Sequence, residues 1–256
     1  MRPAVALVLL ASLGACAAPA KNSGFLTRYD GLEPRSGTVR AAISERRDAE
    51  RLAAVSRVHI EPTALASEPP VWLTPQERTA LLREMDAQLC FELSERFEIA
   101  TAADAADARV RAAVTEVKPT GRVGSAAAAA AGFFIPGPIG LRPPGTLGAL
   151  AAEAEMVAPG GDQLAAIAWS RAATAIGTDN PSLSRIGDAL QFVEPFADAA
   201  AQVMSPEGAQ ARKIGDPDPC AAYGPRFRPE GFAARFATGL YVPQASGARP
   251  EEAPKP

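Results

Sequence analysis

Histidine occurs once in the 256 residues and cysteine three times, with no Cys-x-x-Cys and no His-x-x-x-His spacing. So few soft ligands, set so far apart, exclude the common zinc centres. A base beside a nucleophile is missing too, because the single histidine, His59, falls on a strand face expected to meet solvent. The glycines of Pro159-Gly160-Gly161-Asp162 and Gly121-x-x-Gly124 fit turns better than a phosphate cradle. We therefore expect a non-enzymatic protein with no cofactor and no metal. Basic blocks are also lacking: the formal net charge is -3, without the clustered Lys and Arg that phosphate neutralisation needs. A nucleic-acid partner is not expected. Strong core formers are scarce, since Leu, Ile, Val and Phe together make 53 residues, about 21% of the chain, and aromatics only 6%. Alanine supplies 56 residues in their place, so the core should be modest. The 24 prolines crowd the second half, which implies long loops or a loose tail.

The N-terminus carries a positive start, an apolar run from Ala4 to Leu13, and then Leu13-Gly14-Ala15-Cys16. That order is a lipoprotein signal covering residues 1–15, with small residues before a cysteine whose thiol accepts diacylglycerol. An ordinary signal cleaved near Ala18, or an uncleaved anchor, is the plainer alternative, but the run is short for a bilayer span. Two acyl chains on Cys16 meet the requirement for stable membrane residence. Ala17 in place of an aspartate favours the outer membrane over the inner one, with the body on its periplasmic face. Cys90 and Cys220 are then the remaining thiols, in an oxidising compartment. They could be bridged, although Cys90 lies beside Leu89 and Phe91, where a reduced cysteine serves equally well as a small hydrophobe.

Residues 16–56 read as an acylated tether and N-terminal segment, with a helix expected over Thr38 to Val55. Residues 57–204 form the domain. Arg57 to Glu61 alternates and is closed by Pro62, which predicts a strand with Val58 and Ile60 inward and His59 outward. Thr74-Pro75-Gln76-Glu77 is a capping box with proline at the first helical position. Leu81, Leu82, Met85, Leu89, Leu93 and Phe97 then share one face, predicting a helix from Pro75 to about Arg96. Phe97 to Thr101 and Arg109 to Val117 read as strands, the latter with a bulge at Ala112-Ala113. Leu147 to Val157 and Leu164 to Ala172 form a hairpin about Pro159-Gly160-Gly161-Asp162, with Glu153 and Glu155 toward solvent. A helix from Pro181 to Met204, capped by Asp179 or Asn180 and kinked at Pro195, ends the domain. The expected class is α+β: an antiparallel sheet of about 4–5 strands with two main helices on one face. The proline-rich tail, 205–256, is expected to be largely disordered.

Three segments resemble a group of proteobacterial outer-membrane lipoproteins whose domain is of unknown function. They are Ser23-Gly24-Phe25-Leu26-x-x-Tyr29-x-x-Leu32 after the lipobox, Val58-x-Ile60-Glu61-Pro62, and Ala108-x-Val110-x-Ala112-x-Val114-Thr115. The resemblance covers about residues 22–204 and departs from the pattern in the loop after Thr120 and in the tail. At fold level the element order is also similar to envelope accessory lipoproteins of the curli-channel and peptidoglycan-synthase-activator types, which says little about function. Phe25 and Tyr29 best serve to dock the N-terminal segment on the domain.

The Ala/Gly/Pro-rich loop 119–146 contains eighteen residues without a charge, Gly124 to Leu141. Its prolines and glycines spoil a spanning helix. Either it is a partly buried flexible loop, or Phe133, Phe134, Ile135 and Ile139 make an apolar contact with lipid or a partner. The leading expectation is an adaptor or accessory subunit that binds a cell-envelope partner. The alternative is a homo-oligomer that self-associates as a structural or pore-forming component.

Overall fold

The computed structural model describes residues 18–134, 140–143 and 145–250. Cys16 and the signal lie outside these residues, as do Ile135 and Ile139. In chain order the elements are β1 (Glu33–Pro34), β2 (Ala42–Arg47), α1 (Ala49–Leu52), β3 (Arg57–Ile60), β4 (Ala64–Leu65), α2 (Pro75–Ser94) and β5 (Glu98–Ile99). They continue with β6 (Ala108–Lys118), α3 (Arg122–Phe134), β7 (Gly140–Leu141), β8 (Ala149–Val157), β9 (Gln163–Ala172), β10 (Ile176–Gly177), α4 (Gly187–Met204), α5 (Pro229–Thr238) and α6 (Pro243–Ser246).

The class is α+β, but the sheet is larger and more mixed than expected. Eight strands run in the order β1-β2-β9-β8-β6-β3-β5, with β4 also paired to β6. The pairs β1–β2, β2–β9, β9–β8 and β8–β6 are antiparallel, whereas β3 and β4 lie parallel to β6, and β5 parallel to β3. The parallel half follows from α2, which crosses over between β3 and β5 and so returns the chain in the same direction. Strands β1, β2 and β4 were not expected, nor were β7 and β10, which pair antiparallel in a separate two-stranded sheet. Residues 42–47 form a strand rather than part of a helix, because Ile43, Glu45 and Arg47 stand opposite Trp169, Ile167 and Ala165 of β9. Sheet pairing outweighs the helical propensity of an Arg- and Glu-rich stretch whose apolar stripe is thin. The fold therefore begins well before residue 57.

Helix α2 starts as the capping box requires: Thr74 accepts from the Glu77 amide at 3.3 Å, and Glu77 accepts from the Thr74 amide at 3.0 Å. Its buried Leu81, Met85, Leu89 and Leu93 meet Phe192, Val193 and Phe196 of α4 in one core, and both helices cover one face of the sheet. That face presents Val110, Ala112 and Val114, then Ala152, Ala154 and Met156, then Ala165, Ile167 and Trp169. Trp169 packs edge-on against Phe196 at 5.8 Å between ring centroids. Helix α4 begins at Gly187, six residues later than expected, behind Ile186 and without a side-chain cap, and Leu183 is left exposed. The β6 irregularity falls between Val114 and Glu116 instead of at Ala112-Ala113.

Two regions expected to lack order have structure. The first half of the insertion 119–146 is helix α3, seated by close approach: a Cβ on Gly124 would come within 2.0 Å of Thr146 Cγ2. The segment after Ser205 folds back along α2. Cys90 and Cys220 are joined by a disulfide; Arg226 pairs with Asp218 at 2.8 Å and donates to the Phe91 carbonyl at 2.9 Å. The Arg212 amide donates to the Glu95 carbonyl at 2.7 Å, and Arg228 pairs with Glu84 at 3.6 Å. A covalent staple and arginine bonds hold a segment whose apolar pattern alone predicts nothing.

Candidate functional site

The second face of the sheet, turned away from α2 and α4, is where the N-terminal motif lies. Strand periodicity places Glu153 and Glu155 there, beside Ala113 and Arg111 of β6 and opposite Ala168 and Ala166 of β9. The expectation that both carboxylates meet solvent is overturned: each is fully buried. What covers them is the chain from Ala18 to Tyr29. The small alanine side chains of this face let a strap of backbone come close, and between the strap on one face and the helices on the other all nine residues of β8 are buried.

Each motif residue has a geometrical part in the strap. Ser23 donates twice to Glu153, from its amide at 3.1 Å and its hydroxyl at 2.6 Å, and Tyr29 donates its hydroxyl hydrogen to the same carboxylate at 2.7 Å. The Tyr29 oxygen in turn accepts from the amides of Gly24 at 2.8 Å and Leu26 at 3.2 Å, so its donor and both lone pairs are used. Gly24 has φ +88°, a conformation that suits glycine and turns the chain around the phenol. Leu26 is buried, and Phe25 lies with its ring 4.9 Å from the Arg111 guanidinium.

Glu155 is held by a second set of donors: Thr27 through its amide and hydroxyl, both at 2.8 Å, Gln163 at 2.8 Å, and Arg111 at 3.4 Å. Arg111 also donates to the Phe25 carbonyl at 3.1 Å, and Gln163 to the Arg28 carbonyl at 3.0 Å. Buried carboxylates supplied with several donors are the arrangement under which charge burial is tolerated. Of the six motif residues, five build this contact; Leu32 closes the following turn by donating to the Tyr29 carbonyl at 3.2 Å. Glu153, Glu155, Gln163 and Arg111 were missed by sequence reading. The one available signal was two carboxylates two residues apart on an otherwise apolar strand.

Upstream of Ser23 the strap continues to the end of the sheet, where Ser170 Oγ donates to the Ala18 carbonyl at 2.6 Å. A groove of about 610 Å³ runs there between residues 18–23 and the ends of β6, β8 and β9. The insertion leaves from the same end, and its root is pinned by a buried pair. Arg142 donates to Asp188 at 2.6 and 2.8 Å, and Asp188 also accepts from the Gly148 amide at 2.8 Å. Phe133 and Phe134 close α3, and the contact expected of their side chains and of Ile135 and Ile139 falls outside the described atoms.

A second cleft, of about 580 Å³, lies between α2, α4 and the C-terminal segment and is lined by Glu92, Glu194, Leu190, Phe232 and Tyr241. Burial, with Asp198, Glu95 and Glu194 nearby, pushes the Glu92 carboxyl up to about 7. His59 is half-buried, with Nδ1 3.1 Å from the Ala100 carbonyl oxygen. Among the described residues no group of three His, Cys, Asp or Glu side chains stands where it could hold a metal ion.

The chain belongs to the family described as protein of unknown function (DUF3313), whose model matches residues 21–200. The matched span opens on the strap and closes within α4. Solved structures that the chain matches in part include the PelC dodecamer from Paraburkholderia phytofirmans, 13% identical, covering 67% of this chain and 99% of that one, with a TM-score of 0.36. A single-substitution variant of the same dodecamer is 11% identical over 65% of this chain and 98% of that one, with a TM-score of 0.38. No curated protein matches the chain in sequence.

Proposed function

We propose that this protein is a non-enzymatic lipoprotein of the outer membrane, acylated at Cys16 and facing the periplasm, whose domain is an adaptor or accessory subunit for an envelope partner. The observation that carries the reading is the strap: the residues that follow Cys16 are bound to Glu153 and Glu155 instead of forming a free tether. An anchor joined to a body by such a strap transmits position, which an adaptor needs and a freely diffusing binding protein does not. The lipobox Leu13-Gly14-Ala15-Cys16 supplies the attachment, and two acyl chains give lasting residence.

The test is mass spectrometry of the mature N-terminus, paired with crosslinking in intact cells. A chain that begins at diacylglyceryl-Cys16 and crosslinks to a different envelope protein supports the reading. An unmodified Cys16, or a start elsewhere, removes the anchor and the location together. Crosslinks solely between copies of this chain move the reading to the self-associating alternative.

A further inference from the structure

We infer that the end of the sheet formed by Lys118, Ala149 and Ala172 lies against the lipid surface, with the first turns of α3 and the β10 turn as its contact points. The inference rests on the proposed acylation of Cys16 and names what the insertion touches.

The first support is reach. Ala18 is hydrogen-bonded to Ser170, and Cys16 is two residues upstream, so even a fully extended chain puts the Cα of an acylated cysteine no more than about 7 Å from that of Ala18. Lys118, Ala149 and Ala172 are successive partners across β6, β8 and β9 at this same end. The anchor therefore leaves the body here and has almost no slack.

The second support is which apolar side chains remain in water. Of the eight large apolar side chains that stand exposed among the described residues, Val39, Val71, Val123 and Ile176 are 80%, 105%, 86% and 66% exposed and chain path brings them to this end; the others are Leu183 and, on the C-terminal segment, Phe227, Phe232 and Phe236. Val39 precedes by three residues Ala42, the β2 partner of Ser170. Val123 follows Lys118 by five residues and Ile176 follows Ala172 by four. Val71 adjoins Trp72, whose ring lies 5.8 Å from the Arg185 guanidinium, and the Arg185 carbonyl accepts from Thr120 at 2.7 Å.

On α3, Ala126 and Ala127 are exposed beside Val123 at the i+3 and i+4 positions, giving an apolar stripe with no charge after Arg122. Apolar residues converging from four separate segments make a surface that is costly in water and favourable in a headgroup layer. No described helix is long and apolar enough to cross a membrane, so the contact is peripheral. A second copy or another protein could cover such a patch in general. Here the acyl chains, tied two residues from the Ala18–Ser170 bond at this end of the sheet, put a bilayer there first.

The test uses the full acylated protein in vesicles of phosphatidylethanolamine and phosphatidylglycerol. Single cysteines at Val123→Cys, Ile176→Cys and Gly160→Cys carry an environment-sensitive fluorophore, and nitroxide groups on the lipid acyl chains act as quenchers. Gly160 is in the β8–β9 turn, about 27 Å along β8 from Ala149, and its added side chain meets nothing. The expected result is loss of fluorescence at 123 and 176 and none at 160. Flotation with the vesicles but no quenching at 123 and 176, or equal quenching at all three, overturns the inference and leaves the anchored reading standing. Failure to float overturns the anchored reading, and the inference falls with it.

Discussion

Tyr29 donates its hydroxyl hydrogen to Glu153, 124 residues further along the chain, at 2.7 Å on the sheet face opposite the two main helices. One phenol thereby closes the N-terminal turn, through the Gly24 and Leu26 amides, and locks it onto a buried carboxylate. The strap is as much a part of the fold as β2 is.

Tyr29→Phe should therefore destabilise by about 1.5–3 kcal/mol, because a hydrogen bond to a charged acceptor is lost and two amides lose theirs. Glu153→Ala should cost a similar amount, and the two together less than their sum. Urea denaturation of the four proteins measures this. Strict additivity would show that the pair does not interact in solution.

The Arg142–Asp188 pair is buried on both sides, so removing either partner strands a charge. Arg142→Met or Asp188→Asn should each cost about 3–5 kcal/mol, and the double replacement Arg142→Met with Asp188→Leu should recover part of that. Thermal unfolding decides, and a surface-like loss below about 1 kcal/mol would mean the insertion root is open to water.

Cys90 and Cys220 close a loop with a separation of 130 residues and staple the C-terminal segment to α2. Denatured, unreduced mature protein should show no free thiol, and reduction should lower stability by about 2–5 kcal/mol. Limited proteolysis after reduction should cut first between residues 205 and 250. Two free thiols in the unreduced chain would remove the staple and leave the arginine bonds to hold the segment alone.

Glu92 is raised to about 7 in the fold, first by burial and then by Asp198, Glu95 and Glu194, against an ordinary value of 4.5. The folded state thus holds this proton more tightly than the unfolded chain. The resulting stability is full below pH 4.5 and is lost as pH rises through 7. Glu92→Gln should stabilise above pH 7, by about 1–2 kcal/mol once screening of a half-exposed group is allowed for, and should be neutral near pH 4. Denaturation midpoints at pH 4, 6 and 8 for the two proteins would show a flat difference if the cleft between α2, α4 and the C-terminal segment were fully hydrated.

What the sequence determined by itself is what depends on near neighbours. Thr74 and Glu77 cap α2 because capping is a contact three residues long, and Leu81, Met85, Leu89 and Leu93 mark its buried face by helical period alone. Val58 points inward by strand period, and Pro159 to Asp162 turns β8 into β9. The motif from Ser23 to Tyr29 could be recognised as a segment that needs a docking surface, but not which one. Only the tertiary structure decided that Glu153 and Glu155 are buried, since a strand's outward face stays wet until something distant covers it. The same holds for β2, a strand because β9 is beside it, and for the C-terminal segment, ordered by a cysteine 130 residues away. Local propensity is read within a few residues, whereas burial of a polar face and long-range stapling are free energies of contacts that exist once the chain has closed on itself.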